Sequence, residues 1–499
     1  MAKQYDLHKH SSPQHVCLVS WQNLRRVPPP TFSTASRSKH GVYCERSREA
    51  AFLVTSDTFS NPSDRRGRSR FIPSLRWWIG GVLFASTVIN YLDRQTLSLL
   101  APYLKLQYRW SNTDYANVVI AFRIAYSVGQ SVFGRVLDRV GTRRGLSVTV
   151  AWYSLISIAT ALANGLLGFM GFRFLLGAGE SANWPGATRA VAEWFPKRER
   201  ALATAFFDSG SSIGGALAPF VVLPIYFRWG WRPAFMIPGL LGFLWLVVWK
   251  RLYYPPEIHP RVSPAELEMI LADKSELKDQ PANATRISWW ELLKLPQTWG
   301  TIVARTFTDP VWFFVTDWFP IYLVGKGIEL RSGLIAVWIP FIAADLGNFF
   351  AGSVSGLLIR HGWPLGAARK VLVVFGGIGV TLLIPTIFTT NSAVIALLFG
   401  LATFSYASFS TIANVLPSDL YHTDSVASVS GLSGTGAGLG TIVAFELIGH
   451  FSDARQSTMT HVFDPIMLVA GLVPLIGMIL VLLLVRNTRA TDEGRVRRL

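Results

Sequence analysis

The informative residues of this chain are charges placed where an apolar environment should reject them. Asn90-Tyr91-Leu92-Asp93-Arg94 lies inside a stretch, 77–103, that is uncharged before it and apolar after it apart from Gln95, Thr96 and Ser98. Roughly 20 apolar residues cover a bilayer core, so the stretch is long enough to cross one. An acid and a base at that depth are expensive and point to a water-filled path or a partner, which puts function ahead of a plain structural ion pair. On a helix Asp93 and Arg94 point about 100° apart and need not pair, whereas Asn90 and Arg94 share a face. A second group follows at Arg173, Gly177, Glu180 and Trp184, which fall on one helical stripe, with Pro185 expected to kink the helix and free backbone groups. A carboxyl such as Glu180 at membrane depth can load and unload a proton; a fixed Arg173–Glu180 bridge is the structural alternative.

Further candidates are Arg123 and Tyr126, Asp208, Arg305 with Asp309 and Asp317, Asp345 with Asn348, and Asn414. Arg305 and Asp309 stand one turn apart and can pair. Arg123 and Arg305 lie near span edges and are read as snorkelling to the interface. Asp345 has no such escape.

The elements that must position these residues are apolar spans near 76–103, 114–137, 145–164, 166–190, 201–226, 232–251, 299–323, 332–358, 370–389, 392–417, 424–450 and 463–486. Of the 499 residues 50% are hydrophobic and 15% charged, against about 25% charged in a soluble domain. The net charge of +17 does not call for nucleic acid. It gathers in the first 70 residues, the Arg-rich tail and alternate loops: Arg139, Arg143 and Arg144; Lys197, Arg198 and Arg200; Lys250 and Arg251; Arg360, Arg369 and Lys370. The opposite loops hold weaker pairs, Lys105 with Arg109 and Lys326 with Arg331, so both termini are expected to be cytoplasmic.

Residues 1–70 are expected to be a disordered basic extension, or sequence attached by a misplaced start. Cys17 and Cys44 both fall there, with no metal spacing. The spans then divide into a first six-helix half at 71–251, an inter-half segment at 252–298, a second half at 299–486 and a basic tail at 487–499. Ser263-Pro264-Ala265-Glu266 in the inter-half segment has capping-box form and starts a short helix expected to lie across the membrane surface or the two halves.

The halves echo each other. A shift of about 221 residues carries Gly210 and Gly215 onto Gly431 and Gly436, and Arg139 and Gly141 onto Arg360 and Gly362. Duplicated halves suit a secondary transporter. Gly210-x-x-x-Gly214 and Gly434-x-x-x-Gly438 are small-residue faces, either static packing or a sliding surface. Catalytic motifs fail on context. Gly210-Ser-Ser212-Ile-Gly214 lies inside an apolar helix and not at a strand-to-helix elbow. The glycines from Gly434 to Gly440 fit no phosphate-loop spacing. An enzyme is not expected, and neither a cofactor nor a metal is.

The stretch Gly134-Arg-Val-Leu-Asp138-Arg139-Val-Gly141-Thr-Arg143-Arg144 resembles the signature loop after the second helix of the major facilitator superfamily, and Arg173-x-x-x-Gly177-x-Gly179 resembles its fourth-helix motif. In the second half Ile359 stands where Asp138 stands in the first. Asn90-Tyr-Leu-Asp-Arg94 with Gly179-Glu-Ser-Ala-Asn-Trp-Pro-Gly186 resembles the anion:cation symporters, and Thr308-Asp-Pro-Val-Trp312 with Ala344-Asp-Leu-Gly-Asn348 the hexuronate permeases among them. The resemblance implies an all-α membrane protein of twelve transmembrane helices in two six-helix halves around a central cavity. It also implies that Arg94 binds a substrate carboxylate, that Tyr91 and Tyr126 line the cavity, and that Asp93 and Glu180 carry coupling protons, with Arg173 tuning Glu180. Asn183 and Ser211 are added as substrate contacts, Ser211 standing where galactonate permeases have a Gln. Ser408, Thr411 and Asn414 are added by position, and Asp138, Arg139, Gly141, Arg143, Asp309 and Asp345 as gating or structural residues. A guanidinium fork suits a carboxylate, and co-transported protons offset the anion's charge.

The expected activity is proton-coupled symport of a sugar acid, galacturonate or glucuronate, by alternating access. A carrier of another organic anion (galactonate, glucarate, tartrate) and a non-transporting membrane sensor are the alternatives, and Na⁺ stays open as the coupling ion. The expected partners are a small anionic substrate, the proton and the lipid bilayer, with no nucleic acid, for a monomer in a bacterial inner membrane.

Overall fold

The structure, a computed structural model, describes residues 71–275, 288–317, 322, 326, 334–454 and 464–485. The extension 1–70 with Cys17 and Cys44, the middle of the inter-half segment, Arg331, the Asp317 side chain and the tail lie outside the described residues.

The described chain is helical. In order come α1 (Leu75–Tyr108), α2 (Asn112–Val140), α3 (Thr142–Ala159), α4 (Gly165–Glu180), α5 (Asn183–Trp194), α6 (Lys197–Trp229) and α7 (Trp231–Leu252). Two short helices, α8 (Pro264–Ser275) and α9 (Trp289–Leu293), lead to α10 (Pro296–Asp317), α11 (Leu334–Arg360), α12 (Leu365–Gly379), α13 (Ser392–Leu420), α14 (Thr423–Ala454) and α15 (Asp464–Leu484). Among the described residues nine spans are long and apolar enough to cross a membrane. The expected spans 76–103, 166–190 and 299–323 fall short of that measure. They coincide with α1, α4 with α5, and α10, which hold Asp93 and Arg94, Arg173 and Glu180, and Arg305 and Asp309. Large apolar side chains such as Leu155, Leu244, Leu397 and Leu483 face outward, as a lipid-facing surface requires.

Local chemistry sets the helix ends. Ser111 and Asp114 form a complete capping box at the start of α2. Gly141 ends α2 at φ +87°, and Gly362, its counterpart at the 221-residue shift, follows α11 at φ +85°, a conformation that favours glycine. The fourth expected span is interrupted ahead of Pro185: α4 stops at Glu180 and α5 begins at Asn183, while Ser181 and Ala182 between them keep helical dihedrals, as expected where a proline ring displaces a ladder bond.

The capping-box motif at 263–266 forms only in part. Ser263 Oγ accepts from Glu266 N at 3.2 Å, but the Glu266 carboxylate turns to another helix, accepting from Leu75 N at 3.0 Å and Arg76 N at 3.1 Å at the start of α1. Arg76 closes the contact with ion pairs of 2.8 Å to Glu266 and 2.8 Å to Glu199. Thus α8 is fastened to α1 and α6, with Ile270 buried among their side chains.

In the bundle α1 packs along α6, α11 along α6 and α13, and α14 along α2 and α10. The two small-residue faces have different jobs. Gly210 and Gly214 sit against the α1 backbone, where an added Cβ would stand 2.7 Å from the Phe84 carbonyl oxygen and 2.6 Å from that of Val88. Gly434 and Gly438 sit against Gln130 and Ser127 of α2, and Gly134 against the Ala427 backbone. That second seam joins helices far apart in sequence.

Candidate functional site

Tyr91, Arg94, Gln95 and Ser98 recur at helical spacing and put one polar stripe of α1 on a central cavity of about 610 Å³. That size lies within the roughly 300–1,000 Å³ of small-molecule sites. Phe122 and Tyr126 of α2, Asp208 and Ser211 of α6, Arg305, Asp309 and Trp312 of α10, Asn348 of α11, and Tyr406, Ser410 and Asn414 of α13 complete the wall.

Arg94 is the hub. Its Nε donates to Glu180 Oε2 at 2.7 Å and its Nη2 to Asn90 Oδ1 at 3.0 Å. Its guanidinium carbon stands 5.0, 5.2 and 4.3 Å from the ring centroids of Tyr91, Phe122 and Tyr126. Three aromatic faces around one guanidinium hold a cation well. The Arg94 side chain keeps 21% of its surface exposed while that of Glu180 keeps none, so the base faces the cavity and the acid is sealed behind it.

The structural alternative, a fixed Arg173–Glu180 bridge, does not form; Glu180 pairs with Arg94 instead. Arg173, on α4, stacks over Phe235 at 5.6 Å and lies within electrostatic reach of both Asp93 and Glu180 without a direct ion pair to either. Asp93 is 1% exposed, and both its carboxylate oxygens are buried with no hydrogen-bond partner among the described residues. An ionised carboxylate left so is costly, and a bound proton removes that cost.

Other expectations need correction. Arg305 and Arg123 do not snorkel to the interface. Both line the cavity, Arg305 paired with Asp309 at 2.8 Å and Arg123 stacked over Phe313 at 5.5 Å. Asn183 does not reach the cavity; its amide oxygen accepts from Ser86 at 3.0 Å and so ties α5 to α1. Ser408 donates to the Gly347 and Phe404 carbonyls, and Thr411 to Asn348 Oδ1 at 2.8 Å; both are fully buried between α11 and α13 and line nothing. Ser211 and Asn414 do line it. Asp345 lies behind the wall and accepts from Ser212 at 2.9 Å. Gln95, Ser98 and Tyr406 were not anticipated, although the spacing of the first two from Tyr91 was a usable signal.

The lining residues occupy the half of the bundle toward the α1–α2 turn: none precedes Tyr91 on α1, none follows Gln130 on α2, and none follows Asn414 on α13. Two polar clusters close the other half. In one, Asp138 accepts from Ala427 N at 3.2 Å and Ser428 N at 2.7 Å near the start of α14 and pairs with Arg189 at 2.8 Å. Arg189 also meets Glu193, which Thr142 and Tyr253 bond. In the other, Arg369 pairs with Asp419 at 2.8 Å and donates to the Lys197 carbonyl at 3.1 Å, while Arg200 donates to the Ser418 carbonyl. Of the remaining signature residues, Arg143 donates to the Lys250 carbonyl at 2.6 Å and stacks on Tyr254, and Arg139 is exposed.

Residues 83–445 match the family model described as Major Facilitator Superfamily. A hexuronate transporter of Escherichia coli (strain K12) is 30% identical over 430 residues, covering 85% of this chain and 98% of that protein. A galacturonate transporter of Dickeya chrysanthemi is 34% identical over 309 residues, covering 62% of this chain and 89% of that protein. Among solved structures, the proton:xylose symporter XylE bound to 6-bromo-6-deoxy-D-glucose superposes with TM-score 0.66 at 16% identity, over 84% of this chain and 97% of that one, which shows the shared fold. The motifs, the helical bundle with its central cavity, and these likenesses agree: the chain belongs to the major facilitator superfamily.

Proposed function

We propose that the chain is a proton-coupled symporter of sugar acids, galacturonate or glucuronate in the first place, and not an enzyme. The observation that carries this reading is the 2.7 Å bond between Arg94, which faces the cavity, and the sealed carboxylate of Glu180. One guanidinium serves two anions. While Glu180 is ionised it holds Arg94; once Glu180 takes a proton, Arg94 is free to grip a substrate carboxylate with its planar fork. Asp93 accepts the companion proton, Arg173 stands by as a fixed positive charge for both acids, and Tyr91 and Tyr126 flank the bound acid. Substrate and proton then enter together, because each makes room for the other.

The distribution of Lys and Arg supports an orientation with both termini cytoplasmic and the α1–α2 turn outside, the membrane on this reading being a bacterial inner membrane. On that orientation the cavity belongs to an outward-facing state, with the Asp138 and Arg369 clusters as the closed inner gate. Alternating access requires those clusters to part as the α2–α14 seam rearranges. Uptake of labelled galacturonate into vesicles holding the purified chain, with and without an inward proton gradient, tests the proposal. Accumulation that collapses with an uncoupler supports it, whereas gradient-independent equilibration or an absence of uptake refutes it.

A further inference from the structure

Resting on the sugar-acid reading above, we infer that the site is built for acids with a single carboxylate: Asp309 and Asp208 receive the hydroxyl-bearing end of the substrate and turn a second carboxylate away. Four arginines line the cavity, Arg94, Arg123, Arg173 and Arg305, and the two that pair with an acid, Arg94 and Arg305, are not equivalent. Arg94 is held by an acid sealed out of the cavity, and a proton can remove that partner's charge. Arg305 is held by a partner that itself lines the cavity, giving Nε at 3.1 Å and Nη2 at 2.8 Å to a single oxygen of Asp309, Oδ2. The other oxygen, Asp309 Oδ1, is buried and has no hydrogen-bond partner among the described residues, on a side chain only 10% exposed. It is an acceptor waiting for a donor.

Asp208 lines the same wall. It makes no hydrogen bond or ion pair among the described residues and lies within electrostatic reach of Arg305, Asp309 and Asp345. Beside the Arg305 guanidinium, already engaged, the wall therefore holds two carboxyl groups, Asp309 and Asp208, with Asp345 behind it. Arg123 also lines the cavity and stacks over Phe313.

A sugar acid lying with its carboxylate on Arg94 carries its hydroxyls to that wall, where an O–H can donate to Asp208 or to the Asp309 carboxylate where it borders the cavity, a charge-assisted bond. A dicarboxylic sugar acid brings a carboxylate there, which has no proton to donate and meets like charge. Selection between the two classes is then made by repulsion at one end, with the grip on the shared carboxylate unchanged.

The test is equilibrium binding of galacturonate and of its dicarboxylate counterpart galactarate to the purified full-length chain, at one pH where both acids are ionised. The wild-type chain should prefer galacturonate by at least about tenfold. Asp309→Asn releases Arg305 as a second carboxylate receptor and should raise galactarate relative to galacturonate by about tenfold or more. Asp208→Asn, which leaves the Arg305–Asp309 pair intact, should move the ratio the same way and carries the test if the first variant unfolds on heating with a lowered midpoint. Equal binding of the two acids by the wild type, or a ratio unmoved in the folded variants, overturns the inference. Failure of the folded wild type to bind either acid overturns the sugar-acid reading itself, and this inference with it.

Discussion

Replacing Glu180 with Gln separates the two duties of Arg94. Gln keeps the size of the protonated acid and removes the charge, so the variant is fixed in the state where Arg94 has no anionic competitor. The bond that is lost measures 2.7 Å and is charge-assisted, and its glutamate end is fully buried. Such a bond is worth about 1.5–3 kcal/mol, or about ten- to a hundredfold in a binding constant. In the wild type that sum is charged against the substrate whenever Glu180 is ionised. Apparent affinity for galacturonate should therefore fall by about that factor from acid to alkaline pH. In Glu180→Gln it should stay near the acid-side value throughout. Arg94 keeps Asn90 and the Tyr91, Phe122 and Tyr126 faces, and it borders the cavity, so the variant should fold. The assay is galacturonate binding across pH, paired with counterflow and gradient-driven uptake in vesicles. Exchange should survive and accumulation should vanish. A variant that retains the wild-type pH dependence, or still concentrates substrate against a gradient, refutes the competition between Glu180 and substrate.

Three further outcomes follow. Arg94→Ala should abolish galacturonate binding at every pH while the chain still folds, and a measurable affinity within tenfold of wild type would remove Arg94 from the site. Gly134→Val would force a side chain onto the Ala427 backbone and should lower stability by about 1–3 kcal/mol, an overpacking cost. A cysteine placed at Ser428 should then react faster with a thiol reagent as the α2–α14 seam loosens. In the α7–α8 connection, burial of the His259 ring lowers its pKa, partly offset by its bond to the Leu252 carbonyl. The folded state therefore favours neutral His259; the stability this lends is present above about pH 6.5 and lost as pH falls below it. Thermal midpoints should fall on acidification more steeply in the wild type than in His259→Gln.

The site was legible where a residue type was costly in its setting. Asp93, Arg94, Arg173 and Glu180 stand out because a bilayer penalises charge, and the structure brings all four around one junction of α1 and α4. Their pairing was not legible: Arg173 and Glu180 share a stripe of one helix, yet the nearer partner comes from 86 residues away, across a helix contact that periodicity does not report. Hydroxyls and amides were harder still. Ser408, Thr411 and Asn183 are inexpensive wherever they can bond a carbonyl or a neighbouring helix, so their presence in a span does not say which face meets the cavity. Arg305 misled for the opposite reason, since a long side chain near a span edge normally reaches outward; Asp309 one turn on held it inside. The fold was readable from span lengths and the glycine echo between halves, whereas the role of Glu266 in capping α1 depended on a contact across 191 residues.

Outside the nine long apolar spans, the helices α1, α4 with α5, and α10 carry Asp93 and Arg94, Arg173 and Glu180, and Arg305 and Asp309, which has a consequence for how the protein is made. A central Arg or Asp opposes membrane insertion by about 2.5–3.5 kcal/mol on the translocation scale, which offsets part of what the apolar residues of α1 and α10 contribute to leaving the insertion machinery. For α10 the counter-charge arrives within one turn, and Arg305 and Asp309 can enter as a pair. For α1 it does not. Arg94 meets Glu180 only after α4 has been synthesised, so the pairing that offsets its charge forms late in the making of the first half.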